Sequence, residues 1–144
     1  MALYYSPLTL QNTLEQKGDR LLKRKGEVLF RRGEQAFLMF VVLSGKVSLD
    51  FGVDSPLSRC YGPGALVGLP ATLTRRSYRM NATVIEDAEL SVWSFTTLDS
   101  LLRKRPEFCQ QMLTILGEKM AESQAMAKTL AYKEGQPSQA FYVA

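Results

Sequence analysis

Residues 25–49, KGEVLFRRGEQAFLMFVVLSGKVSL, decide the architecture. Two short apolar runs, Glu27 to Phe30 and Phe37 to Leu43, are separated by Gly33-Glu34 and closed by Ser44-Gly45. Val47, Leu49, Phe51 and Val53 then alternate with Ser48, Asp50 and Gly52, the period of a half-buried strand. Short apolar runs bounded by turn residues predict further strands. Gly33 and Gly45, like Gly62 and Gly64 downstream, predict corners at which the chain needs positive φ.

The pattern extends in both directions. Strands are expected at Leu57 to Tyr61, Arg79 to Ile85 and Glu89 to Phe95, with Gly62-Pro63-Gly64 and Glu86-Asp87 as turns. Many short strands at near-regular spacing predict a mainly β fold with flanking helices, a sandwich or double-stranded β-helix (jelly roll). Upstream, Ser6-Pro7 reads as a helix start, with Leu10 and Leu14 on one face until Gly18. Downstream, Thr97 is expected to cap Leu98 to Lys104, and Pro106 to open a long C-terminal helix reaching Tyr132. The predicted organisation is one domain over 1–131, with a leading helix at 6–17, a β-roll at 21–95 and helices at 97–131, followed by a tail at 132–144. The long helix carries two apolar stripes, Phe108, Met112 and Ile115 beside Leu113, Leu116, Met120, Ala127 and Leu130. One stripe suffices to dock a helix on its own domain, so the second predicts a homodimer.

Composition narrows the function. At 144 residues and 46% hydrophobic, the chain supports a single core. Nothing reads as a transmembrane span or a signal peptide, which predicts a cytoplasmic protein with no membrane partner. The chain has no histidine, which removes the commonest metal ligand and general base. Cys60 and Cys109 are too far apart in sequence for a zinc or iron–sulfur motif and are expected to be buried thiols. Neither Cys60 nor Ser77 has an evident base beside it, so catalysis is not expected. The net charge is +4, with basic residues concentrated at Lys17, Arg20, Lys23, Arg24, Lys25, Arg31 and Arg32. Without interleaved aromatics that cluster reads as a solvated surface rather than a nucleic-acid site.

With those residues in view, the 25–49 stretch resembles the opening of the cyclic-nucleotide-binding domain family, the jelly-roll sensor module of the cyclic-AMP receptor protein superfamily. Gly26, Phe30, Gly33-Glu34, Val41-Val42-Leu43, Ser44-Gly45 and Val47 stand where that family has turn glycines and strand residues. The likeness resumes at YGPGALVG, ATVIEDAELSVWSF and LLRKRPEF and covers about Lys25 to Ala131. The resemblance implies a ligand site of a particular build. A glycine, a glutamate for the ribose hydroxyl, an apolar residue and a small residue open a short helix, and an arginine two residues before an alanine pairs with the cyclic phosphate. On this sequence Gly68 matches the glycine, Leu69 falls on the glutamate, Pro70 on the apolar residue and Ala71 on the small one. Counting back from Ala82, the arginine position falls on Met80, and Arg79 stands one residue early. On a strand that slip turns Arg79 to the opposite face unless a bulge restores its direction, and Arg75 and Arg76 of the preceding loop are the other arginines that could reach inward.

The candidate ligand site is therefore Val67, Gly68, Leu69, Pro70, Ala71, Arg79, Met80, Asn81, Ala82 and Thr83. Val67, Leu69 and Met80 are expected to line an apolar interior, with Asn81 and Thr83 as candidate polar contacts. Leucine accepts no hydroxyl hydrogen bond, and proline has no N–H to offer an anion. The expected function is a regulatory ligand-sensing domain with weak or absent cyclic-AMP binding and an altered, small-molecule ligand. No cofactor is expected, and a cyclic nucleotide is disfavoured. The alternatives are the sensor half of a transcription regulator without its DNA-binding domain, since too little chain follows Tyr132 for a helix-turn-helix, and a ligand-free dimerisation scaffold. Nucleic acid is not an expected partner without that further domain.

Overall fold

Two long antiparallel strands, β3 (Leu38–Asp50) and β6 (Asn81–Ser94), form the spine of the computed structural model, which describes residues 9–52 and 58–117. Around them stand α1 (Leu10–Lys17), β1 (Asp19–Lys23), β2 (Val28–Phe30), β4 (Ser58–Tyr61), β5 (Leu66–Val67), α2 (Leu69–Thr74) and α3 (Phe95–Lys104). A further helix, α4, runs over 106–117. The sheet order is β1-β6-β3-β4, with β2 also on β6 and β5 also on β3, every pair antiparallel. The fold is mainly antiparallel sheet with flanking helices, a jelly roll.

Ser44-Gly45 and Glu86-Asp87 are not turns between separate strands. They face each other as a bulged bend within β3 and β6, where the register shifts between Val42, Ser44, Lys46 and Val47. Gly45 makes the bend feasible. Its φ is +84°, and a Cβ there would run into the Asp87 carbonyl and the Ala88 Cα. Each strand thus curls around the roll without losing its ladder. Gly33 and Gly64 also have positive φ, whereas Gly62 does not.

Both faces of β3 are covered, which explains the unbroken apolar run Met39 to Val42. Phe40 and Val42 point into the roll, where they join Phe30, Ala36, Val47, Leu49, Val67, Tyr78, Met80, Ala82, Val84, Ala88 and Leu90. Met39 and Val41 point the other way, into a second cluster with Leu10, Leu14, Leu66, Leu69, Trp93, Leu98, Phe108 and Met112. That outer cluster docks the helices on the roll. Ser91 Oγ and Trp93 Nε1 both donate to the Leu14 carbonyl, at 2.6 and 2.9 Å, tying the end of α1 to β6.

Local signals moved some boundaries. Thr9 caps α1 by accepting from the Asn12 N–H, while Ser6 and Pro7 lie outside the described residues. Ser94, not Thr97, caps α3, because the two form a reciprocal capping box in which Thr97 is the third helical residue. The cysteines are exposed rather than buried. Cys60 lies on β4, which among the described residues pairs with β3 alone and leaves that side chain in solvent. Cys109 faces out because Phe108 and Met112, four residues apart, take the buried stripe of α4. The neighbouring stripe diverges: Leu113 is 69% exposed, and Leu116 packs partly against the outer cluster. Met120, Ala127, Leu130 and the 132–144 tail lie outside the described residues. Among the described residues no helix is long and apolar enough to cross a membrane.

Candidate functional site

Helix α2 sits between the two clusters, and its sequence dictates which side chain enters which. Gly68, its N-cap, has φ +83° and is pressed on by its surroundings. A Cβ there would lie 3.2 Å from Tyr78 Cε1, 3.3 Å from the Leu38 carbonyl oxygen and 3.4 Å from Phe30 Cε2. From that start Leu69 and Leu73, four residues apart, share the face turned to the outer cluster. Ala71 packs on the interior cluster instead. Leu69 therefore does not line the interior, contrary to the expectation from sequence. Pro70 is half-buried in the first turn and brings no N–H to the helix start.

The interior at this point is filled by aromatic rings. Phe30 and Tyr78 stack with centroids 3.7 Å apart and planes 9° apart, and Phe40 lies 6.1 Å from Phe30. The Tyr78 hydroxyl donates to the Leu38 carbonyl and accepts from the Leu38 N–H. Burial pushes its pKa above the usual phenol value; hydrogen bonds with the Leu38 backbone oppose that rise, and the Glu34 charge adds a little to it. The Thr72 hydroxyl is buried with no well-formed hydrogen bond, and its influence on the Tyr78 phenol is minor beside burial. Among the described residues Tyr78 is the one titratable side chain buried in the interior cluster, and its phenol stays neutral at pH 7.

The remaining candidates fall on two sides of the wall. Val67, Met80 and Ala82 face the interior. Arg79 is exposed. Asn81 is engaged elsewhere: its Oδ1 accepts from the Arg32 N–H at 2.8 Å, and its Nδ2 donates to Asp50 Oδ1 at 3.0 Å. Thr83, next but one along β6, alternates with the inward Ala82 and Val84 and sits opposite Val28 and Ser48. Neither polar side chain joins the interior cluster. Sequence reasoning missed the Phe30–Tyr78 stack. The period that places Met80, Ala82 and Val84 on one face also reaches Tyr78, two residues earlier, so the signal was present.

The described site is thus an apolar, ring-filled interior flanked by a short helix, with no arginine or carboxylate inside it. A family model for the cyclic nucleotide-binding domain matches residues 22–105. The transcriptional activator Anr of Pseudomonas aeruginosa is 27% identical over 135 residues, which cover 88% of this chain and 55% of that protein. Mouse patatin-like phospholipase domain-containing protein 7 is 27% identical over 113 residues, 76% of this chain but 8% of its own length. The chain thus spans about half of one curated relative and a small part of the other. Among solved structures, a protein of a cyclic-GMP-dependent pathway in bacterial phytopathogenesis superposes with a TM-score of 0.63 and 26% identity, over 67% of this chain and 79% of that one. The Thermus thermophilus catabolite activator protein shares the fold with a TM-score of 0.73 and 23% identity, over 90% of this chain and 63% of its own. With its roll, its short helix after Gly68 and more than half its length matched by the family model, this chain belongs to the cyclic nucleotide-binding domain family.

Proposed function

We propose that the chain is a regulatory sensing module that binds cyclic AMP weakly or not at all, and that any ligand of its interior is small and largely apolar. One observation carries this reading: Met80 lies in the interior cluster where a nucleotide-binding relative is expected to present its arginine, while Arg79 is exposed. Losing one partner of a buried charged contact costs about 2 to 5 kcal/mol. At a factor of ten per 1.4 kcal/mol, phosphate binding falls by more than an order of magnitude. Leu69 in the outer cluster and Pro70 without an N–H remove two more contacts. A regulatory rather than catalytic role accords with the match to the Anr activator, which extends over most of this chain.

The Phe30–Tyr78 stack favours a second reading, in which the interior is permanently filled and the module serves as a dimerisation scaffold. Leu113, exposed on α4, is the start of the surface through which a second copy would dock. Calorimetric titration of cyclic AMP and cyclic GMP into the full chain, and into Met80→Arg, tests the main proposal. The expected result is no saturable heat from the parent chain at micromolar nucleotide and a measurable gain in the variant. Saturation of the parent at one equivalent per subunit overturns it.

A further inference from the structure

The outer wall of the roll, away from the interior, carries a concentration of arginine that the sensing role does not use. Segments 31–36 and 75–79 run antiparallel at the rim. The Gly33 N–H donates to the Tyr78 carbonyl, Tyr78 N–H to Glu34 and Ala36 N–H to Arg76, each at 2.9 Å, and Gln35 bridges Ser77. Gln35 Nε2 also donates to the Arg75 carbonyl. This ladder gathers Arg31, Arg32, Arg75, Arg76 and Arg79, all exposed, and its two segments contribute one carboxylate of their own, Glu34. Glu34 is already engaged, accepting from the Arg31 N–H at 2.9 Å. Among the described residues none of the five guanidinium groups lies in an ion pair. At the end of the ladder stands Phe37, 68% exposed. Its carbonyl accepts from the Phe95 N–H, and the Arg75 guanidinium lies 4.6 Å over the Phe95 ring, so Phe37 and Arg75 flank the start of α3 together.

We propose that this rim is a docking surface for an acidic segment of a partner protein, anchored by an apolar side chain on Phe37. Charge complementarity requires an anionic occupant, and the choice of cation narrows it. The rim takes five of the chain's arginines and none of its lysines. A polyanion bound by charge alone, a nucleic-acid backbone or a lipid surface, is served as well by lysine. Arginine adds planar, two-pronged recognition, which carboxylates and phosphates both accept, and the exposed Phe37 beside the five guanidinium groups is what favours a protein partner. Arginine and aromatic residues are also the side chains enriched in protein–protein interfaces, where lysine is depleted. For base stacking the rim offers, among the described residues, the single ring of Phe37, since Phe51 has the Arg32 guanidinium 5.9 Å from its centroid and Phe95 has Arg75. Two of the five arginines are thereby held in place before a partner arrives, which lowers the entropic cost of docking.

The experiment is fluorescence anisotropy of the full chain with a labelled peptide of repeated Glu-Glu-Leu, a mixed-sequence DNA oligonucleotide and phosphatidylserine vesicles as parallel probes. The peptide is expected to bind with salt-sensitive, micromolar affinity. Arg76→Glu with Arg79→Glu is expected to weaken it at least tenfold at an unchanged melting temperature, and Phe37→Ala several-fold. Arg76→Lys with Arg79→Lys, which keeps the charge, is expected to lose several-fold as well. Peptide binding that is absent, or indifferent to both double variants, overturns the proposal. So does tighter binding of DNA or vesicles that the charge reversal abolishes, which assigns the rim to a polyanion. None of these outcomes depends on the interior, so the proposed sensing role stands or falls separately.

Discussion

Leu69 and Met80 occupy the two positions at which the family resemblance sets a glutamate and an arginine around one ligand, yet here they belong to different cores. Met80 packs inside the roll with the Phe30–Tyr78 stack, and Leu69 packs outside it with Met39, Trp93, Leu98 and Phe108. The inner region is a packed apolar interior. The outer region is a joint, where α2 is fastened by Leu69 and Leu73 to the helices that follow the roll. The two residues have different structural consequences: Met80 makes the interior apolar, and Leu69 fastens α2 to the helices that follow the roll.

Placing a charged side chain at each of the two positions shows which one the fold refuses. Leu69 is 2% exposed and packed among apolar side chains, so Leu69→Glu buries a carboxyl without a hydrogen-bonding partner in contact with it and is expected to cost about 4 kcal/mol. Against a typical total of roughly 5 to 15 kcal/mol that threatens folding itself. Met80 is 9% exposed, and the aliphatic stem of an arginine keeps much of its apolar contact, so Met80→Arg is expected to cost about 2 kcal/mol. Urea unfolding followed by Trp93 fluorescence reads both. If Met80→Arg proves the more damaging, the two side chains do not belong to the regions assigned to them.

The bend that joins inner and outer regions offers the next test. Gly45→Ala places a methyl group against the Asp87 carbonyl at φ +84°, and both colliding atoms are backbone. Positive φ and forced displacement together are expected to cost about 3 kcal/mol. Gly33→Ala shares the φ penalty, at +93°, but meets nothing within 4 Å, so it is expected to cost about 1 kcal/mol. Equal thermal shifts for the two would mean that the bend tolerates separation of β3 from β6.

The strands were legible because alternation and turn residues are local properties, and the apolar run Phe37 to Leu43 with its bounding glycines survives any tertiary context. Continuity was not legible. Ser44-Gly45 and Glu86-Asp87 have turn composition, and only their pairing across the sheet, seen in the Lys46–Glu86 ion pair at 3.4 Å, makes them a shared bulge. In the candidate site, the inward direction of Met80 and the exposure of Arg79 follow from the period of two. The direction of Leu69 does not, because α2 is a single short helix whose facing depends on the αL turn at Gly68 and on Leu73 four residues later. The cysteines misled for a similar reason: residue type predicts burial, but Cys60 and Cys109 sit on an edge strand and an outward helix face.

Tyr78 holds the inner region by ring stacking and by its two hydrogen bonds to Leu38. Tyr78→Phe keeps the ring and removes the bonds, an expected loss of about 1 kcal/mol. The same hydroxyl confers an alkaline dependence. Its folded pKa is raised above the ordinary value of 10.0, so its contribution is complete below pH 10 and is lost as pH climbs from there through the folded pKa. The parent is expected to lose stability above pH 10 more steeply than Tyr78→Phe. Parallel slopes in thermal melts would mean that the phenol is free to ionise in the folded protein.

The smallest effect discriminates most finely, because it sets two opposing contributions at one residue. Arg75 ends α2 in the left-handed conformation, φ 57°, and its guanidinium covers the Phe95 ring at the start of α3. Left-handed backbone disfavours arginine by roughly 1 kcal/mol relative to glycine. An exposed cation–π contact returns about 0.5 to 1 kcal/mol. Arg75→Gly surrenders the contact and relieves the backbone, and is expected to leave the melting temperature nearly unchanged. Arg75→Ala surrenders the contact and keeps the strain, and is expected to cost about 0.5 to 1 kcal/mol. A joint between α2 and α3 that matters more than its backbone cost would show both variants destabilised alike, and the outer region would then owe part of its hold on the cassette to a surface charge rather than to Leu69 and Leu73 alone.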